Sequence, residues 1–492
     1  MLSSLKNMEK ADAQKKQAQK LERELPYFIT IVSLLASSGF GPYTIFQKFR
    51  EIDLLPLVKT ESIKILKRIE LLGLDPLDAI VQAKDRQGSR VFGEFLSGYV
   101  SAIQSGGNVI NYLKTKMEGA FDTLESREKQ GVEKLSGIIH AWLTMQIVIL
   151  SVFILLSAIG SNPIGGTSGA QTKSDPPYML LVFAPAMSAM FLLIVKNMVK
   201  SNIPELQFKK IIMVGAPVIL IVTILIITGT VSNLHIDPYL LGIAIIVVSI
   251  LPAMKFKKVY ALSLDAETAT PQILRDITEA RKAGIGPEKC IIRACKRKDF
   301  KLFNTLANAI SNKLEWGVGL HDIYDSLRQE LRNFQVLVSF KILFEIIASG
   351  GGNVDSLDSL ADTSEKIYNI EKHKREELKV YVMVGFMLIT VTGLTTLLTI
   401  DSFAAINEQK DLKKENGPAT PNLFLEKVGL AIVVQAWISG LFIGKITKGV
   451  YSGGFMYSIL LVIIAMISFA LIQLHIVNFS SFLTPHSTPS PS

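Results

Sequence analysis

Gly440-Leu441-Phe442-Ile443-Gly444-Lys445 comes close to a phosphate-binding loop, in which glycine amides cradle phosphates and a lysine reaches the terminal ones. It has three residues between its glycines where such a loop needs four, and it closes an apolar run. It therefore reads as a small-residue packing helix. Gly284-Ile285-Gly286 is followed by Pro287 and Glu288 and lacks the third glycine of a dinucleotide fingerprint. Gly166-Thr167-Ser168-Gly169 looks like a serine-protease tetrad, but it lies in a polar loop outside the apolar runs. Cys290 and Cys295, the two cysteines, have no metal-ligand spacing and read as reduced packing residues. The expectation is no catalytic residue, no metal and no cofactor.

Four further phrases carry structural chemistry. Gly39-Phe40-Gly41-Pro42 recurs as Gly284-Ile285-Gly286-Pro287, and Gly106-Gly107-Asn108-Val109 as Gly351-Gly352-Asn353-Val354, both at an offset of 245. In the first phrase a glycine ends one helix in the left-handed region and the next residue packs back on the last turn. The second glycine caps the following helix, with Pro at its first position. The Gly-Gly-Asn phrase reads as a helix break, since both residue types tolerate left-handed backbone; a phosphate nest is the other reading.

The elements that must hold these phrases are helical. Val91, Phe92, Phe95, Leu96, Tyr99, Val100 and Ile103 follow the rhythm of one buried helix face. Mean hydropathy is +0.36, too apolar for a plain soluble protein. Apolar runs of spanning length cover 138–160, 178–195, 211–229, 239–254, 380–400, 428–444 and 455–477. Leu25–Ala36 and Phe334–Ala348 are shorter, and the second carries Lys341 and Glu345, so both read as buried core helices.

The fold class is thus an all-α membrane protein with two cytosolic helical-bundle domains and about seven spans, internally repeated at the 245-residue offset. Its parts are a charged helix or tail at 1–24, domain 1 at 25–137, four spans within 138–254, domain 2 at 255–379, three spans within 380–477 and a disordered polar tail at 478–492. Subtracting 245 from the last three spans lands on the first three; the fourth returns the chain so that both domains face one compartment. Lys196, Lys200, Lys209, Lys210, Lys445 and Lys448 mark cytosolic loops, while 230–238 has no Lys or Arg. The N-terminus then lies inside and the C-terminus outside. No signal peptide opens the chain. The net charge of +9 follows from this topology, plus a basic face suited to anionic lipid or an acidic partner, and not nucleic acid.

"ELPYFITIVSLLASSGFGPYTIF" followed by "SGGNVINYL", and "LRDITEARKAGIGPEKCI" followed by "SGGGNVDSLDSLADTSEK", resemble the cytosolic domain of type II secretion and type IV pilus inner-membrane platform proteins. Two domains with spans after each resemble the archaeal branch, the archaellum membrane platform first and adhesion-pilus platforms next. The acidic residue that the family carries before the second glycine is absent: the positions read Gly106-Gly107 and Gly351-Gly352. The resemblance implies assembly and no enzyme activity. A hexameric cytosolic ATPase docks on the domains, pilin-like or archaellin subunits enter the filament, and the platform is a homodimer. The candidate docking run is Arg293, Lys296, Arg297, Lys298 and Lys301, whose other reading is a solvated or lipid-facing surface. The rival class is a secondary transporter with parallel repeats, but no span carries Asp, Glu, Lys or Arg in its middle.

Overall fold

The computed structural model describes residues 2–85, 88–161, 178–196, 198, 203, 237–297, 299–348, 352–411 and 421–473. Every long regular element among them is an α-helix: α1 (Leu2–Ser37), α2 (Pro42–Phe49), α3 (Pro56–Leu72), α4 (Pro76–Asp85), α5 (Arg90–Gln104), α6 (Val109–Ser161), α7 (Tyr178–Val195), α8 (Pro238–Lys282), α9 (Pro287–Arg297), α10 (Asn304–Glu315), α11 (Leu320–Glu330), α12 (Phe334–Ala348), α13 (Val354–Asp411), α14 (Pro421–Lys448) and α15 (Phe455–Gln473). The chain forms two compact units, Met1–Gln130 with Val259–His373, and Gly131–Lys258 with Lys374–Ser492. The expected domain edges at 137, 254 and 379 fall inside the continuous helices α6, α8 and α13. Likewise, residues 2–24 belong to the helix that continues through Pro26 to Ser37.

The first unit is built around one apolar core. The two short apolar stretches lie in it. Phe28 on α1 meets Phe49, Phe92 and Phe95 at ring distances of 4.9, 5.3 and 5.5 Å. α12 is buried over most of its length, and its Phe334 ring stands edge-on to Tyr27 at 5.2 Å. Neither stretch has a free apolar surface to offer lipid, which accounts for their being too short to span. The two ionisable groups of α12 are paired: Lys341 Nζ lies 2.9 Å from Glu345 Oε1, and Lys48 on α2 reaches Glu345 Oε2 at 3.2 Å. Burial alone would push the Glu345 carboxyl up; the two ammoniums outweigh it and hold it below its ordinary range.

Helix starts in this unit are fixed by partners from distant sequence. The Glu24 carboxylate accepts from the Leu57 and Val58 amides at 3.0 and 2.9 Å, capping α3, whose own flanking residue Leu55 offers no side-chain cap. Ser89 accepts from the Phe92 amide to cap α5 and donates to Glu22 at 3.3 Å. Asn333 accepts from the Val336 amide to cap α12 and donates to Glu267 at 2.7 Å.

The second unit has its own apolar core, in which Trp142, Trp437, Phe442 and Phe455 are buried. Outside it, Leu155, Leu240, Val247, Val380, Met383 and Met387 are exposed, as expected of surfaces that face lipid. Among the described residues five helical segments are long and apolar enough to cross a membrane: Val109–Leu155, Pro238–Lys282, Val354–Thr396, Lys427–Lys448 and Tyr451–Leu471. These contain the expected spans at 239–254 and 428–444, and most of those at 138–160, 380–400 and 455–477. The span expected at 178–195 is α7, of which Phe183–Val195 is a shorter apolar helix. The span expected at 211–229 lies outside the described residues.

Candidate functional site

The near-phosphate loop is a helix contact. A Cβ on Gly440 would stand 2.3 Å from Ser458 Cα, and one on Gly444 2.0 Å from Gly454 Cα. The glycines let α14 lie directly against the backbone at the start of α15, the close approach that small residues give membrane helices. Lys445 is buried and donates to the Gly449 carbonyl at 2.7 Å, closing the end of its own helix. Gln146 and Gln435 converge on one hydroxyl: Ser188 Oγ accepts from Gln146 at 2.8 Å, Gln435 at 2.9 Å and the Trp142 indole at 3.1 Å. Three helices, α6, α7 and α14, are tied at that point. Gly166-Thr167-Ser168-Gly169 lies outside the described residues.

The Gly-x-Gly-Pro phrases form two corners of one design. Gly39 has φ +88° and Gly284 φ +81°. The Phe40 amide bonds the Leu35 carbonyl and the Gly39 amide that of Ala36; the Ile285 amide bonds Ala280 and the Gly284 amide Arg281. These are the paired bonds of a left-handed helix stop. Gly41 is extended at φ −74°, ψ 166° and caps α2, with Pro42 opening the helix. The Gly286 carbonyl accepts the Cys290 amide, and Pro287 opens α9.

Sequence reasoning missed a second pair of stops. Gly73 (φ +66°) ends α3 and Gly317 (φ +77°) follows α10; Gly317 and Val318 repeat the double bond pattern, while the Gly73 and Leu74 amides reach one residue further back, to Ile69 and Arg68. The available signal was a glycine followed by an apolar residue, Leu74 and Val318, as in the first pair.

At the breaks the asparagines do the same work twice. Asn108 Oδ1 accepts from the Asn111 amide at 3.0 Å at the start of α6, and Asn353 Oδ1 from the Asp355 amide at 3.3 Å at the start of α13. The left-handed residue differs by one place: Gly106 (φ +64°) in the first, Gly352 (φ +73°) in the second. Gly107 is not left-handed, and Gly351 lies outside the described residues. Among the described residues each break has one left-handed glycine.

The structure does not give the basic run one character. Lys296 is paired with Glu315 at 2.6 Å. Arg297 is paired with Asp276 at 2.7 Å and Glu279 at 3.9 Å. Arg293 and Lys301 are exposed, with no ion pair among the described residues, and Lys298 lies outside those residues. Lys301 follows α9 with φ +55°, its amide held by Asp299 Oδ1 at 3.0 Å. Cys290 and Cys295 are both free and buried, and burial pushes the Cys295 thiol up to about 12. Neither is a reactive thiol. Among the described residues no group of His, Cys, Asp and Glu could hold a metal ion.

The chain is 18% identical over 486 residues to the uncharacterized protein MJ1286 of Methanocaldococcus jannaschii, covering 92% of this chain and 80% of that protein. No solved structure matches it. Residues 28–160 match the family model of type II secretion system protein F. The matched segment begins at the Phe28 cluster, runs through the corner at Gly39, the break at Gly106–Asn108 and nearly all of α6. Over those residues the chain is similar to protein F of type II secretion systems, which supports the platform family of type II secretion and type IV pilus systems.

Proposed function

We propose that this protein is the membrane platform on which an archaeal type IV-like filament, an archaellum or an adhesion pilus, is assembled. The observation that carries the reading is the doubling of the matched domain's framework. Helices α2 and α9 start 245 residues apart, at Pro42 and Pro287, and so do α6 and α13, at Val109 and Val354. The left-handed stops at Gly39 and Gly284, the capping asparagines at 108 and 353, and the carboxylates Glu22 and Glu267 on the capping residues keep that spacing. We read this as an internal repeat in which residues 255–379 form a second copy of the matched domain. With the seven-span topology, both copies face the cytosol and the C-terminus lies outside.

In this reading the chain does no bond-making chemistry. A hexameric cytosolic ATPase docks on the two domains, and its motion is transmitted to helices that guide filament subunits out of the bilayer. The long continuous helices α6 and α13 suit that role, since a helix transmits displacement along its axis without a soft joint. A homodimer would offer four similar contacts to a symmetric ring. The full-length relative comes from an archaeon, which supports the archaeal reading. Deleting the gene in its host should remove one class of surface filament, scored by electron microscopy, while filament subunits accumulate in the membrane. Membrane extracts should yield the ATPase on a tagged copy of the chain. Normal filaments of every class in the deletion strain would overturn the proposal.

A further inference from the structure

A polar cavity of about 240 Å³ lies in the first unit, between the loop after α2 and the helices α11 and α12. Glu51, Asp53, Tyr324, Asp325, Arg328 and Lys341 are in its wall, with His321 at the edge. Most of these groups are already paired. Asp53 holds Arg328 at 3.3 Å and Lys59 at 2.5 Å, Lys341 holds Glu345 at 2.9 Å, and His321 faces Asp325 at 3.7 Å. Two groups are not. Glu51 has no ion-pair partner among the described residues, and the Tyr324 hydroxyl is buried with no hydrogen-bond partner. An unpaired buried hydroxyl loses its bonds to water without replacing them, so its retention asks for an explanation.

The lining is graded by depth. Tyr324 and Lys341 are each 4% exposed, and the Lys341 ammonium lies 5.1 Å from the Tyr324 ring centroid. With one of its three N–H groups on Glu345, Lys341 has donors left. At the mouth the Asp53 and Asp325 side chains are 53% and 51% exposed. The inner end therefore donates, and at the mouth three carboxylates outnumber the one guanidinium, Arg328. Lys48, Lys59, Arg328 and Lys341 balance Glu51, Asp53, Asp325 and Glu345 when His321 is neutral. A phosphate would meet three carboxylates at the mouth, and a plain amine would meet Lys341 inside. A molecule that carries both charges meets neither obstacle.

The fold itself does not require this chemistry. Helices α4 and α11 start 244 residues apart, as do α5 and α12. At that spacing Tyr324 corresponds to Ile80 and Lys341 to Ser97, and Ile80 is fully buried in the apolar core. At these two positions the first half of the chain thus has neither an ammonium nor a phenol.

We propose that the cavity is a binding site for a small zwitterion of the amino-acid class. Its carboxylate accepts from the Tyr324 hydroxyl and the Lys341 ammonium, and its own ammonium donates to Glu51 and Asp325. The volume suits a single free amino acid. Bound there, it would brace the 51–54 loop against α11 and α12.

The test uses the full-length protein in detergent, with each standard amino acid as probe and acetate and methylammonium as half-ligands. Binding is read by titration calorimetry and by the thermal midpoint, which rises with ligand by mass action. At least one amino acid should bind saturably, and acetate and methylammonium should not bind at the same concentration. Glu51→Gln, at an exposed position, should keep the ligand-free midpoint and lower affinity tenfold or more; Tyr324→Phe should also lower affinity. The proposal is overturned if no amino acid binds, if binding survives Glu51→Gln unchanged, or if either half-ligand binds as well as the amino acid.

Discussion

The corners at Gly39 and Gly284 allow a clean measurement of left-handed strain. Both residues have φ above +80°, and a Cβ placed on either meets nothing within 4 Å. Substitution there adds no steric clash, so the cost is the backbone conformation alone. That cost is about 1–2 kcal/mol for an L-residue with a Cβ, smaller for Asn, whose side chain tolerates the region, and largest for a β-branched residue. For a unit of this size each kcal/mol moves the midpoint by about 2–4 °C. Gly284→Ala should therefore lower the midpoint of the first unit by about 2–8 °C, Gly284→Asn by less and Gly284→Val by more. Gly39 should give the same order. Gly352 is the contrast: its Cβ would stand 3.3 Å from Leu357 Cδ1, so Gly352→Ala should cost more than Gly39→Ala. The assay is thermal unfolding of the full chain in lipid nanodiscs, with hydrogen exchange of α1, α2, α8 and α9 to confirm that the loss is local. If Gly284→Val unfolds with the parent, or Asn costs as much as Val, left-handed strain is not what selects glycine at these corners.

Glu345 sets an acid limit on the first unit. Its carboxyl is held low by Lys341 and Lys48, so its stabilising effect is present above the ordinary carboxylate range and is lost as pH falls through its lowered pKa. Glu345→Gln should be less stable than wild type at neutral pH, and the gap should narrow in acid, read from urea midpoints across pH. For ATPase capture, Arg293→Glu with Lys301→Glu should weaken binding and its salt dependence without loss of fold, because neither has an ion pair among the described residues. Reversing Lys296 or Arg297 would instead place a carboxylate against Glu315 or Asp276 and lower stability, so a pull-down with those variants would confound docking with folding. Topology is checked with single cysteines: Ser168→Cys and Asn416→Cys should label from outside, and Asn202→Cys only after permeabilisation. The native thiols, both buried, should add little background.

How much of this was readable beforehand depends on the distance over which each feature is decided. The corner at Gly39 was legible because its cause is local: a glycine, an apolar residue and a Pro within four positions determine the backbone. Gly73 and Gly317 obey the same local rule without the following Gly-Pro, and so escaped notice. The buried character of α12 was legible from its length, but the role of its two ions was not. Lys341 and Glu345 share one helix face at a spacing of four, yet the third member, Lys48, comes from nearly 300 residues earlier. The basic run shows the same limit from the other side. As a sequence it is a block of like charge; in the fold, Asp276, Glu279 and Glu315 arrive from neighbouring helices and claim two of its members. The capping of α3 by Glu24 on α1 had no sequence signal, because Leu55-Pro56 contains no capping side chain and the carboxylate stands more than 30 residues away. Charge on this chain is therefore legible as composition and topology, while its assignment to a partner, inside the protein or outside it, is a property of the packed helices.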